Sequence, residues 1–197
     1  MAQEANDVAP TVFAESLELS VMAIYVEAVQ SGVLRPAISD VVNLFARHHQ
    51  EHADAFGAAS DGKQTGQAHP GVLLALRRRL ERVVVDGEAG VLTLLVDIEN
   101  SLAASYMFTL GSLVEPAAMM VTASILPVAG QHATVLAGAL GRPVGALFTG
   151  AFETDAERFD PADFPVPTET TVKPPTLSST STTMSSSTTS IATGSQP

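Results

Sequence analysis

The chain has 197 residues with neither cysteine nor tryptophan, which excludes disulfides, thiol catalysis and thiolate metal sites. Its 21 acidic and 10 basic residues give a formal net charge of −11, so the chain is a poor partner for nucleic acid or anionic lipid. No stretch is judged long and apolar enough to span a bilayer, and we expect neither nucleic acid nor a membrane as a partner.

The predicted elements are helices, because apolar residues recur at the three- and four-residue spacing of a helix face. Proline stands at the start of the first helix (Pro10), the second (Pro36) and the last (Pro116), where its fixed backbone fits the first turn. Gly141 and Pro143 end the last helix. The predicted helices cover residues 10–30, 36–59, 72–85, 89–113 and 115–140.

The first helix carries a carboxylate on its apolar face. Glu18 is flanked there, at helical offsets, by apolar or aromatic side chains: Ala14, Val21, Met22 and Tyr25. A charged group on such a face requires a partner, because burying an unpaired carboxylate is costly. Glu18 is therefore a candidate ligand.

The second helix contains two histidines on an apolar face. His49 and His52 are three residues apart, so their side chains lie on the same side of the helix. Phe45 and Phe56 flank them at offsets of four and share that side. Two imidazoles in such a setting predict either a metal ion or a carboxylate from a neighbouring helix.

The last two long helices each add one ligand-type residue within an apolar stripe. Glu99 is surrounded by Leu92, Leu95, Val96, Leu102, Ala103 and Tyr106. His132 is surrounded by Ile125, Val128, Val135, Leu136 and Ala139. Metal sites in the core of a helix bundle are formed by inward-facing Glu and His side chains on facing helices. This mixture of ligands suits Fe, Mn or Zn. The candidate metal ligands are Glu18, His49, His52, Glu99 and His132.

Other polar residues are expected to have ordinary structural roles. We expect Tyr25 and Tyr106 to pack in the core with their hydroxyls near the carboxylates. His48, on the flank of the second helix, and His69, in the following polar loop, are expected at the surface rather than in a metal site.

The order of these segments resembles the ferritin-like di-iron carboxylate bundles, and most closely the bacterial ferritin-like domain proteins linked to desiccation. Residues 13–18 with Tyr25 are similar to that family's first helix, residues 95–106 to its third, and residues 123–126 with His132 to its fourth. The resemblance covers residues 11–141 and implies an all-α, ferritin-like four-helix bundle with a short crossover helix.

The resemblance also implies a ligand set from which this chain departs. The family places one Glu on each of two helices and Glu-x-x-His on each of the other two. Glu18, Glu99, His52 and His132 match that pattern, whereas His49 and Ala129 replace the two Glu that bridge the irons. Two carboxylates neutralise one divalent ion but not two, so the sequence favours a single Fe, Mn or Zn ion. We therefore do not expect the ferroxidase chemistry of that family in this chain.

Two functions therefore remain open at the level of sequence. The first is a ferritin-like protein that binds one divalent metal ion; if it is an enzyme, it is an oxidoreductase, but no residue fixes a substrate. The second is a metal-free ferritin-like protein, in which Glu–His pairs form a satisfied polar core. Such a protein acts as a structural or interaction module, in stress or desiccation.

The remaining predictions concern domains, location and assembly. We expect a ferritin-like domain over residues 1–160 and a disordered Ser/Thr/Pro-rich tail over 161–197. The first seven residues lack the features of a signal peptide, which favours the cytoplasm, although the tail resembles linkers of exported bacterial proteins. Apolar residues on more than one face of the last two helices are compatible with a homodimer.

Overall fold

The computed structural model of the chain describes residues 7–143 and 158–165, and every regular element in these segments is a helix. The five α-helices are α1 Val8–Gln30, α2 Pro36–Ala58, α3 Pro70–Val83, α4 Gly87–Leu110 and α5 Pro116–Ala139. Short 3-10 helices cover Val84–Asp86 and Pro161–Asp163. The five predicted α-helices are thus confirmed, with ends that differ by at most three residues.

Local sequence accounts for the ends of the helices. Proline occupies the first turn of α2, α3 and α5, where no backbone N–H donor is lost from the helix. Gly141, with φ of 72°, follows the last residues of α5. Its N–H donates to Gly138 O and the Arg142 N–H donates to Ala137 O, which is a Schellman ending that requires a left-handed residue.

The helices form two pairs around one core. α1 packs mainly against α2, α4 packs mainly against α5, and α3 lies between α1 and α4 as the crossover. Fully buried side chains from α1 and α4 fill the centre, including Ile24, Tyr25, Leu95 and Leu102. The predicted all-α four-helix bundle with a short crossover helix is confirmed.

Two buried carboxylates outside the candidate site hold loops onto the bundle. Both oxygens of Glu15, on α1, accept backbone N–H groups of Thr65 and Gly66 at 2.7 Å. Asp7 accepts the N–H groups of Val114 and Glu115 at 2.8 and 2.6 Å, which joins the start of α1 to the start of α5. These carboxylates satisfy backbone donors that would otherwise be unpaired.

His69 is a buried residue, and the expectation of a surface position is wrong. Its ring Nδ1 accepts from the Val72 N–H at the start of α3, and its backbone N–H donates to Ser20 Oγ at 2.8 Å. The ring also packs against Phe13 and Phe164. The loop before α3 is thereby fixed to α1, which removes the ring from solvent.

Two stretches have the length and composition of membrane spans, so the sequence-based judgement that none does is wrong. They are Pro70–Leu110 and Pro116–Ala139. In the first, 72% of the apolar window is buried inside the bundle, whereas the figure for the second is 33%. Length and composition alone do not separate a core helix from a membrane helix, and the absence of a membrane partner stays a prediction.

The predicted tail lies almost wholly outside the described residues. Within the described part, residues 161–163 form the second 3-10 helix and Phe164 packs against the hydrophobic core. The predicted disorder concerns residues that the structure does not describe, and the predicted domain boundary at residue 160 stays a prediction.

Candidate metal centre

The candidate ligands converge in the middle of the bundle, and His49 lies at their centre. Its Nδ1 is 2.6 Å from Glu18 Oε2 and its Nε2 is 3.1 Å from Glu99 Oε1. Glu18 and Glu99 have no solvent exposure, and His49 has 1%. One imidazole on α2 therefore bridges carboxylates from α1 and α4.

The other two histidines approach one carboxylate each. His132, on α5, places Nδ1 3.2 Å from Glu99 Oε1. His52, one turn along α2 from His49, places Nδ1 3.4 Å from Glu18 Oε1. Phe45 stacks on the His132 ring with centroids 3.8 Å apart, so the orientation of that ring is fixed by packing.

Two tyrosines each donate a hydrogen bond to one of the carboxylates. The Tyr25 hydroxyl donates to Glu99 Oε1, and the Tyr106 hydroxyl donates to Glu18 Oε1. Both tyrosines are buried, which confirms the expectation that they pack in the core with their hydroxyls at the carboxylates. Burial, followed by the adjacent negative charges, raises the pKa of both phenols well above the ordinary value, so both act as neutral donors.

His48 is also part of this network, which the sequence did not predict. Its Nδ1 lies 3.0 Å from His132 Nε2, and the two rings stack with centroids 5.2 Å apart. The ring is half-buried rather than exposed. Burial, followed by the proximity of His132, lowers the pKa of His48. The sequence pattern did not indicate this role, because His48 is next to His49 and successive helix residues do not share a face.

When no metal is bound, the centre holds three charged groups: one imidazolium and two carboxylates. Burial opposes ionisation of Glu18 and Glu99, but the positive charge of His49 and histidine hydrogen bonds lower both carboxyl pKa values to about 2. Burial also opposes protonation of His49, yet the two carboxylates raise its pKa to about 10. At neutral pH an imidazolium therefore lies between two carboxylates.

The network leaves two ligand-type atoms without a hydrogen bond. Glu99 Oε1 accepts from Tyr25 and both adjacent histidines, whereas Glu99 Oε2 is buried and has no partner. His52 Nδ1 is likewise buried without a hydrogen bond. An unpaired buried carboxylate oxygen is costly, and both atoms belong to the candidate ligands.

The convergent atoms form two sets that share His49. One set is Glu18, His49 and His52, and the other is His49, Glu99 and His132; in each, the ligand atoms lie within 4.8 Å of one another. The structure thus brings all five candidate residues together as groups with the spacing to bind a metal. Their role as ligands stays a prediction.

Comparison with known proteins identifies the family to which the chain is similar. A family model described as a ferritin-like domain matches residues 6–142, which includes all five helices and every candidate ligand. No curated protein and no solved structure matches the chain at a significant level.

Proposed function

Because the chain belongs to the ferritin-like domain family over residues 6–142, we propose that it binds a single Fe, Mn or Zn ion in the bundle core. The observation that carries this proposal is the buried Glu99 Oε2, an ionised oxygen without a partner among the described residues. A cation beside it would supply the missing partner. His52 Nδ1, which is also buried without a hydrogen bond although it lies 3.4 Å from Glu18 Oε1, supports the same conclusion.

The shared position of His49 supports one ion rather than two. A neutral imidazole has one nitrogen that can bind a metal, while the other keeps its proton. If Nε2 binds the ion, the Nδ1–H donates to Glu18; if Nδ1 binds it, the Nε2–H donates to Glu99. In either case the second carboxylate orients the ligating histidine, an arrangement typical of metal sites.

Charge leads to the same stoichiometry. Glu18 and Glu99 together neutralise one divalent ion once His49 has lost its proton, and a second ion would leave two excess positive charges in a buried site. The buried Ala129, one turn before His132, adds no ligand. A bound Fe or Mn would supply redox chemistry and a bound Zn Lewis acidity, whereas Tyr25 and Tyr106 hold the carboxylates in place.

A second candidate function is a metal-free structural or interaction protein. The observation that favours it is the pairing of His49 with both carboxylates, because the imidazolium already neutralises half of their charge. A buried ion network of this type persists without a ligand when its members are hydrogen-bonded. The unpaired Glu99 Oε2 argues against it, because a buried carboxylate oxygen without a hydrogen bond would destabilise a metal-free core.

Elemental analysis of the full chain, purified without a histidine tag after growth in metal-replete medium, tests the proposal. We expect about one equivalent of Fe, Mn or Zn in the wild type. Glu99→Gln, which removes the charge but retains the shape, should lose the metal. Glu51→Gln is the matched control, because Glu51 is an exposed carboxylate on α2 and should leave the metal content unchanged.

The alternatives give different results. Two equivalents in the wild type would refute the single-ion stoichiometry. An equal loss of metal in Glu99→Gln and Glu51→Gln would place the ion outside the core. A folded wild type without metal, together with no uptake on titration with Fe(II), Mn(II) and Zn(II), would favour the metal-free protein.

A further inference from the structure

A cavity of about 410 Å³ lies between α1, α4 and the residues at and just before the second 3-10 helix. The first half of α1 forms one wall, with Phe13 and Ala14. The last turns of α4 form the second wall, with Tyr106 and Phe108, and Phe159 belongs to the third. None of these five residues is a candidate metal ligand, so the cavity is a separate feature of the bundle.

The third wall is fixed to the helices by specific contacts. The Phe159 N–H donates to Ser105 Oγ on α4 at 2.8 Å. The Arg158 guanidinium lies 4.0 Å from the centre of the Phe108 ring, and Phe164 packs against the hydrophobic core. The cavity is therefore formed before any ligand binds, as is usual for small-molecule sites.

Tyr106 links the inner end of the cavity to the candidate metal centre. Its side chain lines the cavity although it is only 2% exposed, and its hydroxyl donates to Glu18 Oε1. Leu17, which directly precedes Glu18 in α1, also lines the cavity. A molecule bound in the cavity would therefore lie one side chain away from Glu18.

Two polar side chains in the lining already have partners within the chain. Ser105 Oγ donates to a carbonyl oxygen of its own helix and accepts the Phe159 N–H. Asp160 accepts the Ala162 N–H with one carboxylate oxygen and pairs with Arg158 through the other. An anion would meet the Asp160 carboxylate on a chain of net charge −11, and a cation would have to displace Arg158. The lining therefore suits an uncharged, apolar ligand.

The size of the cavity favours a small molecule over a protein segment. A helix is about 10 Å wide with its side chains and rises about 5.4 Å per turn, so a volume of about 410 Å³ corresponds to roughly one turn of helix. Small-molecule sites commonly have volumes of about 300–1,000 Å³. We propose that the cavity binds a small, uncharged apolar molecule, such as an aromatic compound or a compact hydrocarbon, against the Tyr106 ring. This binding does not require the metal ion.

Fluorescence titration of the full chain with N-phenylnaphthylamine, an uncharged aromatic probe, tests the proposal after dialysis against a chelator. We expect one saturable site with a Kd of roughly 10–100 μM. Ala14→Leu, which fills part of the cavity, should weaken binding at least about tenfold. Ala23→Leu is the matched control, because Ala23 is on the same helix but lines a different cavity, beside Gln50 and Asp54.

Circular dichroism verifies that each variant is folded. If Ala14→Leu does not fold, Ala9→Phe takes its place, because Ala9 lines the same cavity from an exposed position at the start of α1. Amide NMR spectra locate the site without any variant. On titration with the probe, the amide resonances of Tyr106 and Phe159 should shift, whereas that of Gln50 should not.

A sulfonated probe of the same aromatic frame, anilinonaphthalene sulfonate, tests the chemistry of the ligand. It should bind at least about tenfold more weakly than the uncharged probe, because of Asp160 and the net charge of −11. Equal or tighter binding of the sulfonated probe would overturn the assignment to an uncharged ligand.

The position of the site can be contradicted in three ways. A wild type that shows no saturable binding of the uncharged probe would overturn the proposal. Equal weakening in Ala14→Leu and Ala23→Leu, or binding that survives every folded cavity variant, would place the probe elsewhere. Amide shifts that include Gln50 but omit Tyr106 and Phe159 would do the same.

Discussion

Among single residues, His49 governs how the centre responds to pH. The pKa of His49 is raised from 6.5 to about 10, so its contribution to folding is complete below pH 6.5 and is lost as the pH rises toward 10. The carboxyl pKa values of Glu18 and Glu99 are lowered from 4.5 to about 2. Their contribution is complete above pH 4.5 and is lost as the pH falls toward 2.

We therefore predict that the metal-free protein is most stable between about pH 4.5 and 6.5 and loses stability on both sides. Urea unfolding at a series of pH values measures this profile. In His49→Gln the decline on the alkaline side should disappear, because no imidazolium remains to lose its proton. A wild-type profile that stays flat up to pH 9 would show that His49 is neutral between the two carboxylates.

His48 is predicted to position a metal ligand without binding the ion itself. Its Nδ1 faces His132 Nε2 at 3.0 Å, so in the metal-bound centre His132 would keep its proton on Nε2 and present an unprotonated Nδ1 to the ion. Removal of such a partner lowers metal affinity by about 10- to 100-fold. His48→Ala should show this loss in a competition titration with a chromophoric chelator.

Arg47 provides the control for His48. It is the exposed neighbour on α2, and among the described residues its side chain bonds only to Asn43 O, within its own helix, so Arg47→Ala should retain wild-type affinity. The free energy of unfolding of metal-free His48→Ala should stay within about 1 kcal/mol of the wild type. Equal affinities for the two variants would show that His132 does not depend on its contact with His48.

At the scale of elements, Glu15 joins α1 to the loop between α2 and α3. Glu15→Ala should leave the Thr65 and Gly66 N–H groups unpaired and cost about 2–4 kcal/mol in the free energy of unfolding. Those two amides should also exchange faster with deuterium. Glu27→Ala is the control, because the only side-chain partner of Glu27 in the described part of the chain is Arg77, in an exposed ion pair, and its loss should cost less than about 1 kcal/mol.

The helices could be predicted from the sequence because their signals are local. Prolines mark the first turns of α2, α3 and α5, and the apolar spacing assigns Glu18, His49, Glu99 and His132 to inward faces. The pairing of His48 with His132 could not be predicted, because it depends on how closely α2 and α5 approach. The burial of His69 depends in the same way on contacts between a loop and α1.

At the scale of the whole molecule, a metal ion bound as proposed would be linked to the fold through the four long helices. Each long helix contributes one candidate ligand: α1 has Glu18, α2 has His49, α4 has Glu99 and α5 has His132. An ion bound among them would hold together elements that are distant in the chain. An ion that binds only the folded state stabilises it by about 2.7 kcal/mol at a free concentration of 100 times Kd. Global stability should therefore report occupancy of the centre.

We predict that the bound metal raises Tm by roughly 5–10 °C at that concentration. The rise should grow between pH 6.5 and 9, because the metal must displace the proton of His49, whose pKa is about 10, and this competition weakens as the pH increases. Calorimetric scans with and without the ion, in wild type and Glu99→Gln, measure the difference. Glu99→Gln should show no metal-dependent rise. A rise of equal size in both proteins would mean that the ion stabilises the bundle from another site.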